Sequence, residues 1–310
     1  MKRSTLEQDE ILRISIDGSD QRLRICAARR GLPPLLIVQA GPGLPLLNEV
    51  PRFRACLALE DEYTVAYWEQ RGCGKASRKA AESLSLDRLL EDLCRVIRRL
   101  HAMTGAKVAL LGISIGGSLA MRAAAREEAI VSIVFAVSPD LNVAMGDDNA
   151  RGVLAESSKG DARTSRALAR LGPPPYLTPS RFQRRLKLLA DYGAVERGRK
   201  FGPMLSALAL SLVKSYGLFG AGKALRNARL IQARLLPELA GLDLLSSWPE
   251  SAVPFRLFFG EEDILSPPSL VEAASRRLKS GDSLVVLPRA GHMVHFDRPD
   301  ALKEHLRPMA

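Results

Sequence analysis

The chain has 310 residues, 46% hydrophobic and 25% charged, with 45 Lys plus Arg against 34 Asp plus Glu and a formal net charge of +11. That apolar content is ample for a buried core and excludes an intrinsically disordered chain; the length allows one large α/β domain or two ordinary ones. The basic excess leaves nucleic acid, an acidic membrane surface, an anionic substrate and plain solubility open. Cys26, Cys56, Cys73 and Cys94 lie far apart without metal-ligand spacing, and read as free thiols of a reducing compartment. The N-terminus is charged from its second residue and lacks an apolar signal-peptide core, which predicts a cytoplasmic protein.

Residues 11–17 and 22–27 alternate around Asp17-Gly18-Ser19-Asp20 and predict a β-hairpin. Residues 35–39 form an apolar run of buried-strand type, and residues 63–68 a strand rich in aromatic and β-branched side chains. The clearest helix covers residues 85–103: Leu86, Leu89, Leu90, Leu93, Val96, Ile97 and Leu100 share one face, and Gly105 ends it. A strand (107–111), a helix (115–126) and a further strand (130–137) follow. Over residues 140–245 strand signals vanish, Arg and Lys become dense, and Pro173-Pro174-Pro175 breaks the run. The alternation then resumes with a strand (255–259), a helix (269–279), a strand (283–287) and a helix (300–306). This pattern predicts a mostly parallel sheet with helices on both faces, an α/β core of 1–139 and 246–310, and a helical insertion of 140–245. The longest apolar stretch, 201–222, is long enough to span a membrane. Lys214 interrupts it, and it reads as a buried or cleft-lining helix pair with no stable membrane insertion.

Gly112-Ile113-Ser114-Ile115-Gly116 is a G-x-S-x-G between a predicted strand and a predicted helix. Such a turn exposes a serine hydroxyl above the sheet and needs small flanking residues, so Ser114 is the candidate nucleophile. A serine needs a base, and the base an orienting acid. Of His101, His292, His295 and His305, His292 lies on a loop directly after a strand, with His295 three residues on. The acid is sought in Glu261-Glu262-Asp263, where spacing favours Asp263 and leaves Glu262 a lesser candidate. The oxyanion donors are the backbone N–H groups of Ile115 and of Gly41, the latter in the loop Gln39-Ala40-Gly41-Pro42-Gly43.

Three landmarks carry a family resemblance. Residues 39–43 look like a His-Gly-Gly-Pro-Gly oxyanion loop, Trp68-Glu69-Gln70-Arg71-Gly72-Cys73-Gly74-Lys75 like an Asp-Gln-Arg-Gly-x-Gly segment, and residues 112–120 like a nucleophile elbow. With the Gly-x-x-Asp run at Gly260 and with Gly291-His292, the chain resembles the α/β-hydrolases, and within them the proline iminopeptidase-like group. The resemblance implies an α/β-hydrolase fold with a helical cap, a Ser114-His292-Asp263 triad, and no metal or organic cofactor. It also implies that Arg71 braces the oxyanion loop; binding of an anionic substrate group by Arg71 is the other reading. Gln39 and Ala40 depart from the oxyanion-loop pattern, Ala76 stands where the family usually has Ser, and Ile115 replaces a Trp common after the nucleophile of true iminopeptidases. Those enzymes hold the substrate's free amine with cap glutamates, and the insertion has only Glu156, Glu196 and Glu238.

The expected activity is therefore a serine hydrolase acting on an ester or amide of a small, apolar-bodied substrate. Rival readings are an iminopeptidase proper, a lactonase, thioesterase or acyltransferase, and a non-catalytic binding protein. Residues 140–245 hold 17 Lys plus Arg and 9 Asp plus Glu, so +8 of the net charge sits on the insertion, as an electrostatic entrance or a solvated surface. Aromatics are 5% and no nucleic-acid module appears, so a small-molecule substrate and no nucleic acid are expected. If residues 204–213 face the nucleophile, the pocket is apolar.

Overall fold

Alternating side chains at 35–38 divide between two cores. Leu36 and Val38 pack on one face of the sheet, Leu35 and Ile37 on the other. The structure, a computed structural model, describes residues 5–76, 80, 82 and 84–308. Its strands are β1 (Gln8–Ile16), β2 (Ser19–Ala27), β3 (Pro34–Val38), β4 (Thr64–Glu69), β5 (Val108–Ile113), β6 (Val131–Val137), β7 (Phe255–Gly260) and β8 (Ser283–Leu287). They form one sheet in the order β1-β2-β4-β3-β5-β6-β7-β8. β2 pairs antiparallel with β1 and β4; every other neighbour pair is parallel. β3 and β5 are buried throughout, as a sheet covered on both faces requires.

The hairpin forms as expected, with Asp17 and Gly18 at φ 47 and 70 in the tight turn between β1 and β2. Helix α1 (Val50–Cys56) gives no sequence signal, being too short for a helical period to show. Helix α2 (Leu86–Thr104) follows the predicted face. The Ser85 hydroxyl accepts the Arg88 N–H at 3.1 Å, and Gly105 closes the helix at φ 69. Helix α3 (Ile115–Arg126) starts at the predicted residue.

Between β6 and β7 lie α4 (Val143–Ser157), α5 (Ala162–Leu171), α6 (Pro179–Tyr192) and α7 (Phe201–Ala240). Three of their N-caps are local: Asn142, Asp161 and Thr178 side chains accept the N–H groups of Met145, Arg163 and Arg181. The insertion leaves and returns at one place, since the Leu244 N–H donates to the Leu141 carbonyl at 2.7 Å. After it come α8 (Pro268–Ser275), α9 (Val294–Asp297) and α10 (Pro299–Lys303). Helix α8 stops short of the predicted 279, where the Asp282 carboxylate takes the Lys279 and Phe255 N–H groups.

Two expectations are corrected. The apolar stretch 201–222 is not a buried helix pair: Leu205, Leu210, Val213, Leu218 and Phe219 are exposed, and Leu212, Tyr216 and Ala221 are its buried residues. Helix α7 breaks at Gly217 (φ 71, ψ 169), and the half beyond the break supplies Ile231, Leu235 and Leu239 to the core. The half before it runs beside that core instead of into it.

Arg71 does not brace the oxyanion loop by a hydrogen bond or ion pair among the described residues. Its guanidinium is buried and donates to both carboxylate oxygens of Asp92 on α2, at 2.7 and 2.8 Å, and to the Ile16 carbonyl at 3.0 Å. Gln21 donates to Asp92 at 2.7 Å and accepts from the Trp68 indole at 2.7 Å. Asp92 is fully buried on the inner face of α2, so its counter-charge must come from the sheet side. The same pairing removes Arg71 as an anion-binding group. Asp92→Ala should leave a buried guanidinium without its carboxylate and cost about 3–5 kcal/mol in equilibrium urea unfolding. A loss below about 1 kcal/mol would place the pair among weakly contributing ion pairs.

Candidate active site

Ser114 sits between β5 and α3 at φ 54, ψ −127, a conformation serine rarely adopts. The packing around it explains the two glycines. A Cβ on Gly112 would lie 2.4 Å from the Gly116 carbonyl oxygen, and one on Gly116 would lie 2.2 Å from that of Val38. No larger residue fits either position. The Ile115 N–H belongs to the first turn of α3, whose donors have no intrahelical acceptor. Gly41 lies against Ile115: a Cβ there would meet the Ile115 Cγ2 at 3.2 Å. The Gln39 side-chain amide donates to the Leu44 carbonyl and ties the loop across its base.

Asp263 and His292 follow β7 and β8. His292 Nδ1 donates to Asp263 Oδ2 at 2.8 Å. The Ser266 hydroxyl donates to the same oxygen at 2.9 Å, and the Leu265 N–H to Oδ1 at 3.0 Å, so the carboxylate is fixed from three sides. Close backbone approach again needs glycine: a Cβ on Gly260 would lie 2.2 Å from the Gly291 carbonyl oxygen. The His292 and Met293 N–H groups donate to the Ala194 and Val195 carbonyls, both at 2.8 Å, joining this loop to the segment after α6.

The other carboxylate candidates and histidines go elsewhere. Glu262 is partly exposed and pairs with Arg197 at 3.2 Å. Glu261 accepts the Arg289 N–H at 3.3 Å. His295 is buried against Phe53 and Phe296, and burial pushes its imidazole down to about 3, so it stays neutral. The His101 Nδ1 sits 2.9 Å from the Ala106 carbonyl oxygen, and His305 packs on Phe258.

Sequence reasoning misses Asp140. It lies half-buried just past β6, and the Ser114 hydroxyl donates to its Oδ2 at 3.2 Å. The hydroxyl thus points at a carboxylate in this structure. A signal exists: Asp140 stands beyond the carboxyl end of a strand, as Asp263 does, but the same position also reads as the start of the insertion. Loss of hydration raises the Asp140 carboxyl above the usual range, against the opposing pull of His292, Arg185 and the serine hydrogen bond. Burial pushes the His292 imidazole down, but the Asp263 and Asp140 carboxylates outweigh it, and the net shift is upward.

Ser114, His292, Asp140 and Gly41 line one cavity of about 130 Å³. Its roof comes from the insertion: Phe182, Leu186 and Leu189 of α6, and Leu236 and Leu239 of α7. Residues 204–213, expected as possible pocket walls, do not line it. Arg185 and Asp147 also face the cavity, ion-paired with each other at 2.5 Å. Glu156, Glu196 and Glu238 do not: they bind Lys159, Arg52 and the Leu86 N–H. Among the described residues no cluster of His, Cys, Asp and Glu could hold a metal ion.

A serine on a strained strand-to-helix turn, under a helical insertion and beside an Asp–His pair, is the architecture of an α/β-hydrolase. Residues 42–305 match the alpha/beta hydrolase family, and the chain belongs to it. Its relatives include proteins named as aminopeptidase and proline iminopeptidase. A Bacillus subtilis (strain 168) protein named probable aminopeptidase YbaC is 24% identical over 306 residues, 95% of each chain. A proline iminopeptidase-related protein of Thermus thermophilus superposes with a TM-score of 0.65 at 20% identity, over 97% of this chain and 96% of its own. The proline iminopeptidase of Mycobacterium smegmatis gives 0.67 at 16% identity, over 96% of each chain.

The two carboxylates around one imidazole make a prediction that needs no substrate. In an NMR titration His292 should protonate above the ordinary histidine value of about 6.5. Asp140→Asn removes one of the charges favouring imidazolium and should lower that value. An unchanged His292 titration in the variant would show that Asp140 does not act on the imidazole.

Proposed function

We propose that the protein is a serine hydrolase that cleaves an ester bond of a compact, apolar-bodied substrate through an acyl-enzyme. The observation that carries this is the strained Ser114 turn opening on the same cavity as the Asp263–His292 pair. In the proposed mechanism the Ser114 hydroxyl turns from Asp140 to His292 Nε2 as substrate enters, since hydrogen bonds of this kind often tighten only in the complex. Ser114 Oγ attacks the carbonyl carbon while His292 takes its proton. Asp263 holds Nδ1–H and stabilises the imidazolium. The Ile115 and Gly41 N–H groups receive the oxyanion. His292 then protonates the leaving group, and water repeats the sequence to release the acid. Asp140 parks the hydroxyl in the resting state and adds a second negative charge near the imidazolium.

The cavity supports an ester over an aminoacyl amide. Its walls are mostly aliphatic, and none of the insertion's three glutamates is free in it to hold a substrate amine. Lactone or thioester cleavage and acyl transfer would use the same residues and differ in the acceptor. The aminopeptidase reading keeps one observation, the Asp147 carboxylate in the cavity, together with the name of the Bacillus relative. It requires Asp147 to leave Arg185 for a substrate ammonium.

Ser114→Ala should abolish fluorophosphonate labelling and lower kcat on esters by roughly four to six orders of magnitude. Equal labelling of the variant would remove Ser114 as nucleophile. Because the enclosed volume is small, acetyl and butyryl esters should exceed lauroyl esters in kcat/KM by at least about tenfold. Turnover of prolyl-naphthylamide without turnover of any ester would decide for the aminopeptidase.

A further inference from the structure

The most apolar part of the chain is on its surface. Only 17% of the most apolar 18-residue window of α7 is buried. Before the break at Gly217, Leu205, Ala209 and Val213 recur at helical spacing on an exposed face, with Leu210 beside them. Directly after the break Leu218 is 73% exposed and Phe219 95% exposed. Two adjacent large apolar side chains standing in water at a helix break contribute almost no burial free energy to the fold.

The charge carried by α7 itself up to Pro237 has one sign, while Glu49, Glu69 and Asp191 of neighbouring segments bond its Ser211, Tyr216 and Phe201. Residues 201–237 contain Lys214, Lys223, Arg226, Arg229 and Arg234 and no acidic residue. Lys214, Arg226, Arg229 and Arg234 are exposed, and the Lys223 ammonium bonds the Lys75 carbonyl near the same break. A long apolar helix whose own charges are Lys and Arg has the composition of one that lies in the interface of an anionic bilayer. The helix is long and apolar enough to cross a membrane, yet its second half is held in the core through Ile231 and Leu235 and buries Asn227 and Gln232. A spanning arrangement would pull those residues out of the protein. Self-association through this face would bring together two α7 helices that carry only basic charge up to Pro237.

We infer that the first half of α7 and the Leu218-Phe219 tip form a peripheral docking surface for anionic lipid bilayers. The tip enters the interfacial layer and the flanking Lys and Arg contact lipid phosphates.

The test is co-sedimentation of the full chain with vesicles of phosphatidylcholine alone or with about 30% phosphatidylglycerol. Binding is read without turnover, so it is independent of the hydrolase assignment. Wild type should bind the anionic vesicles at least about tenfold more tightly than the neutral ones, and lose that binding as salt rises from about 0.1 to about 0.5 M. The double substitution Leu218→Ser, Phe219→Ser should abolish it at exposed positions that leave the fold intact, and Lys214→Gln with Lys223→Gln and Arg226→Gln should weaken it. Phe219→Trp should shift its emission to the blue on anionic vesicles. No sedimentation with either vesicle, equal binding to both, or full binding by the double serine variant would overturn the inference. So would a lipid-free dimer that the serine variant dissolves, in the absence of vesicle binding.

Discussion

Ser114 is held in a backbone conformation that costs of order 1–3 kcal/mol and persists only where neighbours leave no alternative. Those neighbours are main-chain atoms. Gly116 lies under the Val38 carbonyl of β3, and Gly112 under the Gly116 carbonyl of α3. The geometry of Ser114 is therefore set by the approach of α3 to two central parallel strands, which are themselves buried on both faces. Every other part of the site is placed relative to that contact. The Gly41 loop leaves the end of β3, Asp140 leaves β6, and Asp263 leaves β7, all on the edge to which β5 delivers the serine.

Charge complements this steric frame. One imidazole lies between a carboxylate that grips its Nδ1 and a second that grips the serine. Asp263 is buried and Asp140 half-buried, and Arg185 tempers their field from the roof while paired to Asp147. The site is therefore poised for a cation at His292, the charge state that proton abstraction from serine creates.

Much of this is legible locally. The hairpin, the α2 stripe, the start of α3 and strand β8 follow from two- and 3.6-residue periods, and the Ser114, Asp263 and His292 assignments from positions after strands. What escapes depends on long-range contacts. Asp140 and Arg71 have partners 26 and 21 residues away, and nothing in their neighbourhoods names those partners. Helix α1 is shorter than the window that reveals a helix. The stretch 201–222 shows the limit of composition: apolarity announces that a segment wants cover, but not whether the protein itself provides it.

The backbone bonds from His292 and Met293 to Ala194 and Val195 have a consequence for how such proteins can diversify. His292 is stitched to the roof, with Gly291 pressed so close to Ala194 that a Cβ would lie 2.6 Å from its carbonyl oxygen. The insertion is thus not an interchangeable module. Grafting another protein's helices between β6 and β7 would have to preserve the path of residues 194–195, or the histidine would lose its seat along with the old pocket. Neither α5 nor the first half of α7 lines the cavity, though Leu168, Leu171, Phe201 and Met204 pack in the cluster that holds Leu189 and Val195.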